Sequence, residues 1–159
     1  MNPTEYLIDL SLPERERWKE VIAQERDVAR TVADEAKQML PFFAPLIAPI
    51  FKRSAWYRGE MEAWAEGLGV SMNRMILLQH LYELSHLKLS GIAANIFGCT
   101  AGVKWFDDLG MVHVRTLDWP LQSIGPATRI FRFHQREREY VTVGIAGFVG
   151  VVPNTSSVM

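Results

Sequence analysis

The chain of 159 residues is long enough for one ordinary domain with a buried core. It is 48% hydrophobic and 22% charged with a net charge of −1, spread evenly: residues 1–98 carry 11 basic and 13 acidic groups, and residues 99–159 carry 6 and 5. That balance argues against a nucleic-acid partner, the lone cysteine excludes an internal disulfide, and neither a secretory leader nor a bilayer-length apolar run is visible, so the cytoplasm is the expected location.

In chain order, Trp18, Val21, Ile22, Ala29, Val32, Ala33, Ala36, Met39 and Leu40 recur at three- and four-residue spacing. This predicts an amphipathic helix from Pro13 to Leu40, with Glu14, Arg15, Glu25, Arg26 and Lys37 on its wet side. Pro13 suits a first helical turn. The stretch "MLPFFAPLIAPIF", residues 39–51, is continuously apolar, and its prolines at 41, 45 and 49 argue against a regular helix. Burial in the core is one reading of it. The other is an exposed surface for lipid or a partner, with Lys52 and Arg53 directly after it.

A second helix is expected from Arg58 to Glu66, stopping near Gly67 and Gly69. A third follows Ser71 as its N-cap and runs through "MNRMILLQHLYELSHLKL". After Gly91 the periodicity shortens. "CTAGVKW", "MVHVRTLDW", "ATRIFRFH" and "YVTVGIAGFVGVV" read as strands of an antiparallel meander, separated by the turn-like "FDDLG", "LQSIGP" and "REREY". The expected class is α+β, a helical segment (residues 1–98) followed by antiparallel strands (residues 99–159).

The only cysteine, Cys99, stands at the junction of these halves, directly after Gly98. A buried cysteine can be a small hydrophobe without chemistry. A cysteine nucleophile needs a base, and nothing in the sequence sets His80, His86, His113 or His134 beside Cys99. These histidines and one thiol also lack a familiar zinc-ligand spacing, so neither a metal nor another cofactor is expected. Cleavage between Gly98 and Cys99 would supply a base of another kind. The freed α-amino group titrates near about 7.7 and can take the proton of its own thiol.

Three stretches carry a family resemblance: "LIDLSLPERERW", "MEAWAEGLGVSMNRMILLQHLYEL", and the Cys99–Thr100 pair followed by "HVRTLDWP". The chain resembles the acid ceramidase and N-acylethanolamine-hydrolysing acid amidase family of N-terminal-nucleophile (Ntn) cysteine hydrolases. His113, Arg115, Asp118 and Trp119 match that family's pattern in spacing from Cys99, and "GIAGFVG" at 144–150 resembles its following strand. The family's asparagine after the arginine is Thr116 here.

The resemblance implies an αββα Ntn sandwich, of which residues 1–98 are the α subunit or propeptide and residues 99–159 the start of the β subunit. Relative to the family, the β subunit is expected to be incomplete at its C-terminal end. It implies autoproteolysis between Gly98 and Cys99, with Cys99 then serving as the nucleophile. Arg115 would hold the acyl-amide region, and Asp118 would orient the new α-amine. Trp119, Phe42 and Phe43 would contact an apolar acyl chain. The implied activity is hydrolysis of lipid-like N-acyl amides, ethanolamide- or ceramide-like, with peripheral contact to membranes or micelles. The two cleavage products would stay associated with each other or with a further C-terminal part; eukaryotic relatives are lysosomal. The competing expectation is an inactive fragment or a lipid-binding or interaction module on the same scaffold.

Overall fold

Alternation in "EYLID" makes the first element a strand rather than a prelude to a helix. β1 (Glu5–Asp9) buries Tyr6 and Ile8 and exposes Glu5 and Leu7, the period of two of a half-buried strand. The computed structural model describes residues 4–39, 57–81, 100–149 and 155–156. Within them the order continues with α1 (Lys19–Met39), α2 (Arg58–Leu68), α3 (Met72–Gln79), β2 (Ala101–Phe106), β3 (Gly110–Arg115), α4 (Ile124–Ala127), β4 (Thr128–Gln135), β5 (Arg138–Ile145) and β6 (Thr155–Ser156). The protein is of mixed α+β class.

The expected single antiparallel meander is not what forms. β1 pairs in parallel with β4, β4 and β5 are antiparallel, and β5 and β6 are antiparallel, giving a mixed four-stranded sheet in the order β1-β4-β5-β6. β2 and β3 make a separate antiparallel pair. By compactness the chain divides into one unit of residues 1–81 and 121–159 and another of residues 82–120.

In the first unit, register places Tyr6 opposite Phe131 and Ile8 opposite Phe133, so one face of the sheet is a continuous apolar surface. Trp18 packs edge-on against Phe131 at 5.3 Å between ring centroids, and Phe133 stacks on Tyr140 at 4.9 Å. Such pairs contribute about 0.5–1.5 kcal/mol each beyond their burial. Gly144 lies where any Cβ would come within 2.8 Å of the Phe131 ring, so only glycine lets that ring lie across β5. α1 faces the core with Val21, Ala29, Val32, Ala33 and Ala36, as its spacing requires.

Two expectations about α1 need correction. The helix begins at Lys19, not at Pro13; residues 13–18 form successive turns, with the Glu16 and Lys19 N–H groups bonded to the carbonyls of Pro13 and Glu16. Their side chains serve long-range contacts instead. Glu14 accepts the Gly59 N–H at 2.8 Å, capping the start of α2 from 45 positions away. Arg17 binds the carbonyls of Leu10 and Leu12 and one oxygen of Glu60, and Trp18 Nε1 donates to the other Glu60 oxygen at 2.6 Å. Second, Glu25 is not on the wet side but buried, 7% exposed. It is tolerated there because Arg129 of β4 grips both its oxygens and the Tyr6 hydroxyl donates to it at 2.6 Å.

α2 ends at Leu68 with Gly69 as its left-handed C-cap, close to its expected stop, and Ser71 caps α3 by accepting the Arg74 N–H. α3 closes at Gln79 with His80 as its C-cap, a break within the expected longer helix; Leu81 is again helical, and residues 82–89 of that run lie outside the described residues. The stretch read as the turn "LQSIGP" contains the short α4, tied to α1 by Glu35, which accepts both the backbone N–H and the hydroxyl of Ser123. Gln79 holds the chain beyond β5, donating to the Gly147 carbonyl and accepting the Val149 N–H. Among the described residues no helix is long and apolar enough to cross a membrane.

Candidate active site

β2 and β3 are rich in β-formers, and a three-residue turn, 107–109, joins them. Register pairs Trp105 with Met111, Val103 with His113, and Ala101 with Arg115. The end of β3 therefore lies directly across from the start of β2, the strand that Cys99 and Thr100 precede.

Beyond the last paired residues, Thr116 continues the contact in two ways. Its backbone N–H donates to the Thr100 carbonyl at 2.8 Å. Its hydroxyl accepts the Thr100 N–H at 3.2 Å and donates to Asp118 Oδ2 at 3.1 Å. A hydroxyl has one proton to give and lone pairs to receive, whereas an ionised carboxylate only accepts and a backbone N–H only donates, so the direction of this chain is fixed. Asp118 is thereby linked, through one side chain, to the backbone of the residue that follows Cys99.

On a straight strand Arg115 and Asp118 would point to opposite sides, three positions apart. β3 ends at Arg115, and after two residues outside the ladder Asp118 forms an isolated β-bridge, so the simple alternation of one strand does not run from Arg115 to Asp118. Trp119 is half-buried next to it, and Asp118, Thr116, Thr100 and His113 are exposed. Gly98, Cys99, Phe42, Phe43 and the apolar stretch at 40–51 lie outside the described residues. His134 is exposed on β4, and His80 caps α3. Among the described residues no cluster of three histidine, cysteine or acidic groups is placed to hold a metal ion.

The cluster of Tyr6, Glu25 and Arg129 could be mistaken for a site. Burial, with the hydrogen bond to Glu25 adding to it, pushes the Tyr6 hydroxyl up to about 12. Arg129 holds the Glu25 carboxyl below the ordinary range against the opposing effect of burial, and Tyr6 assists. Strongly perturbed groups often mark catalysis. Here, however, both carboxylate oxygens are already engaged by Arg129, and Tyr6 accounts for a further bond to one of them, which makes the cluster a buried tie between β1, α1 and β4.

Sequence reading placed Thr116 at the position of the family's asparagine but did not foresee its bonds to Thr100 and Asp118. Its signal was its place between Arg115 and Asp118, since a threonine two residues before an aspartate can bond to it locally. No protein-family model matches the chain, and no curated protein matches it.

Proposed function

We propose that the protein is an amide hydrolase of the N-terminal-nucleophile type, allied to the acid ceramidase and N-acylethanolamine amidase family, acting on lipid-like N-acyl amides. The observation that carries this reading is the hydrogen-bonded chain from Thr100 through Thr116 to Asp118, which ties a carboxylate to the start of the strand that follows Cys99. The mixed α+β architecture is compatible with the αββα sandwich such enzymes use.

In maturation, the Cys99 thiol attacks the Gly98 carbonyl carbon, the peptide C–N bond breaks, and the nitrogen takes up the thiol proton to become the new α-amine. Water then hydrolyses the resulting thioester, releasing residues 1–98 with a carboxylate end. In turnover, the α-amine takes the thiol proton and the thiolate attacks the substrate's acyl carbon. The amide nitrogen leaves with that proton, and water cleaves the acyl-enzyme to the fatty acid. Asp118 orients the α-amine and favours its charged form; Arg115 offers a rigid two-pronged donor to the acyl oxygen. The resemblance offers Trp119 for contact with an acyl chain and, separately, Phe42 and Phe43 in the apolar stretch at 39–51 for contact with a lipid-like substrate or the surface that holds it.

An intact-mass time course under mildly acidic conditions tests the reading. The parent chain is expected to split between Gly98 and Cys99, while Cys99→Ala stays whole. A parent that remains uncut overturns it. A second reading, a non-catalytic interaction module, is favoured by the exposure of Val103, Trp105 and Met111 on the hairpin, and an uncut chain would turn attention to it.

A further inference from the structure

We infer that the outer edge of β1 is a docking site for an extended, basic peptide segment of a protein partner, which joins the sheet as a further strand beside Glu5, Leu7 and Asp9. The inference is independent of the amidase reading above. β1 stands at the end of the order β1-β4-β5-β6, and among the described residues only β4 pairs with it. The parallel register decides where its backbone groups point. The Thr4 carbonyl accepts the Ile130 N–H at 3.0 Å, and the Leu10 N–H donates to the His134 carbonyl at 2.9 Å, with Glu5 opposite Ile130 and Asp9 opposite His134. In such a ladder the even residues of β1 bond to β4, and residues 5, 7 and 9 direct their groups to the other side. The Leu12 N–H takes the Asp9 carbonyl at 3.3 Å. The N–H groups of Glu5, Leu7 and Asp9 and the carbonyls of Glu5 and Leu7 then face outward at the two-residue repeat of a strand. A row of this kind is a template for strand addition.

The side chains select the occupant. Tyr6 and Ile8 are buried against the core, whereas Leu7 is 60% exposed and lies between Glu5 and Asp9 on the opposite face. Register adds Glu139 of β5 and Arg132 of β4 to that face, and Arg132 pairs with both Glu5 and Glu139. Three carboxylates thus share one guanidinium, and the face is net negative with imidazoles counted as neutral. An incoming strand is complementary when it sets lysine or arginine opposite Glu5 and Asp9 and an aliphatic side chain opposite Leu7. A second copy of the chain fits worse. A two-fold axis at Leu7 would set Glu5 directly against Asp9 of the other copy, acid against acid, twice over.

The probe is the peptide acetyl-Thr-Lys-Thr-Val-Thr-Lys-Thr-amide, whose palindromic order suits either strand direction. Titrated calorimetrically into the full chain, it is expected to bind with a Kd below about 1 mM and to slow amide exchange at Leu7. Replacing both lysines by glutamate should weaken binding about tenfold or more. N-methylation of the three central residues, which removes donors in both directions, should weaken it about tenfold or more with the protein untouched. On the protein side, Leu7→Pro removes an outward N–H without removing a bond to β4, and should weaken binding by a similar factor.

Absence of binding overturns the proposal. So does equal binding of the N-methylated peptide, because contact would then not run through the backbone edge. Equal binding of the glutamate peptide overturns the choice of a basic partner. Sedimentation of the chain alone provides the remaining outcome: a concentration-dependent dimer abolished by Leu7→Pro would give the edge to a second copy and overturn the peptide reading. If Leu7→Pro fails to match the parent by circular dichroism, the N-methylated peptide, used on the unaltered chain, carries the test.

Discussion

Trp18 and Trp105 put the same side chain to opposite uses in the two units of the chain. Trp18 is 1% exposed, edge-packed on Phe131 and hydrogen-bonded to Glu60, at the centre of a core closed by helices on one face of a mixed sheet. Trp105 is 68% exposed on β2, a strand with no buried position. The first region is ordered by what it buries. The described part of the second is ordered by its ladder of backbone bonds and by the Thr100–Thr116 contacts, and a lone two-stranded hairpin is only marginally stable in water. Candidate chemistry sits on the region with little burial, where polar groups stay accessible; the packed region keeps its buried carboxylates, Glu25 and Glu60, fully engaged.

The contrast breaks first at Trp18. Trp18→Ala is expected to destabilise the first unit by about 3–5 kcal/mol in urea titration, through the cavity it leaves and the Glu60 oxygen it strands. A loss below about 1 kcal/mol would show that this ring is not central to the core. Gly144→Ala should cost about 1–3 kcal/mol, since its methyl would press on the buried face of Phe131.

A pH-dependent effect comes next. The Glu25 carboxyl titrates below its ordinary value of 4.5 in the fold, so its contribution is complete above that value and is lost as pH falls through the folded one. Glu25→Gln should therefore be less stable than the parent at neutral pH and converge with it in acid. Tyr6 works in the other direction: raised from 10.0 to about 12, its contribution is complete below pH 10 and is lost as pH rises toward 12. Tyr6→Phe should flatten the alkaline limb of a thermal-stability profile. The smallest effect belongs to the hairpin. Trp105→Ser should change unfolding free energy by less than about 0.5 kcal/mol, and a larger loss would show that the two regions are not as different as their exposure indicates.

Arg115, Asp118 and Trp119 were named from the family resemblance that follows Cys99, and their roles rest on that resemblance. What Thr116 does was not legible, because a hydroxyl's partners depend on strand register, and the same threonine one position out of register would face elsewhere. Gly98, Cys99, Phe42 and Phe43 remain readings of sequence alone.

Local order was the sequence's to determine. The apolar stripe of α1, the Ser71 cap of α3 and the stop of α2 at Gly69 each depend on residues within a turn or two, so periodicity and end signals suffice. Only tertiary structure decided the rest. β1 finds β4 across most of the chain, pairing Tyr6 with Phe131, and no local pattern encodes a parallel partner so distant. Glu25 reads as a wet-side residue until Arg129, 104 positions away, arrives to neutralise it. Residues 13–18 read as the start of a helix until Glu14 and Arg17 are drawn to α2, where Gly59 and Glu60 offer partners that a regular first turn would have left unmet.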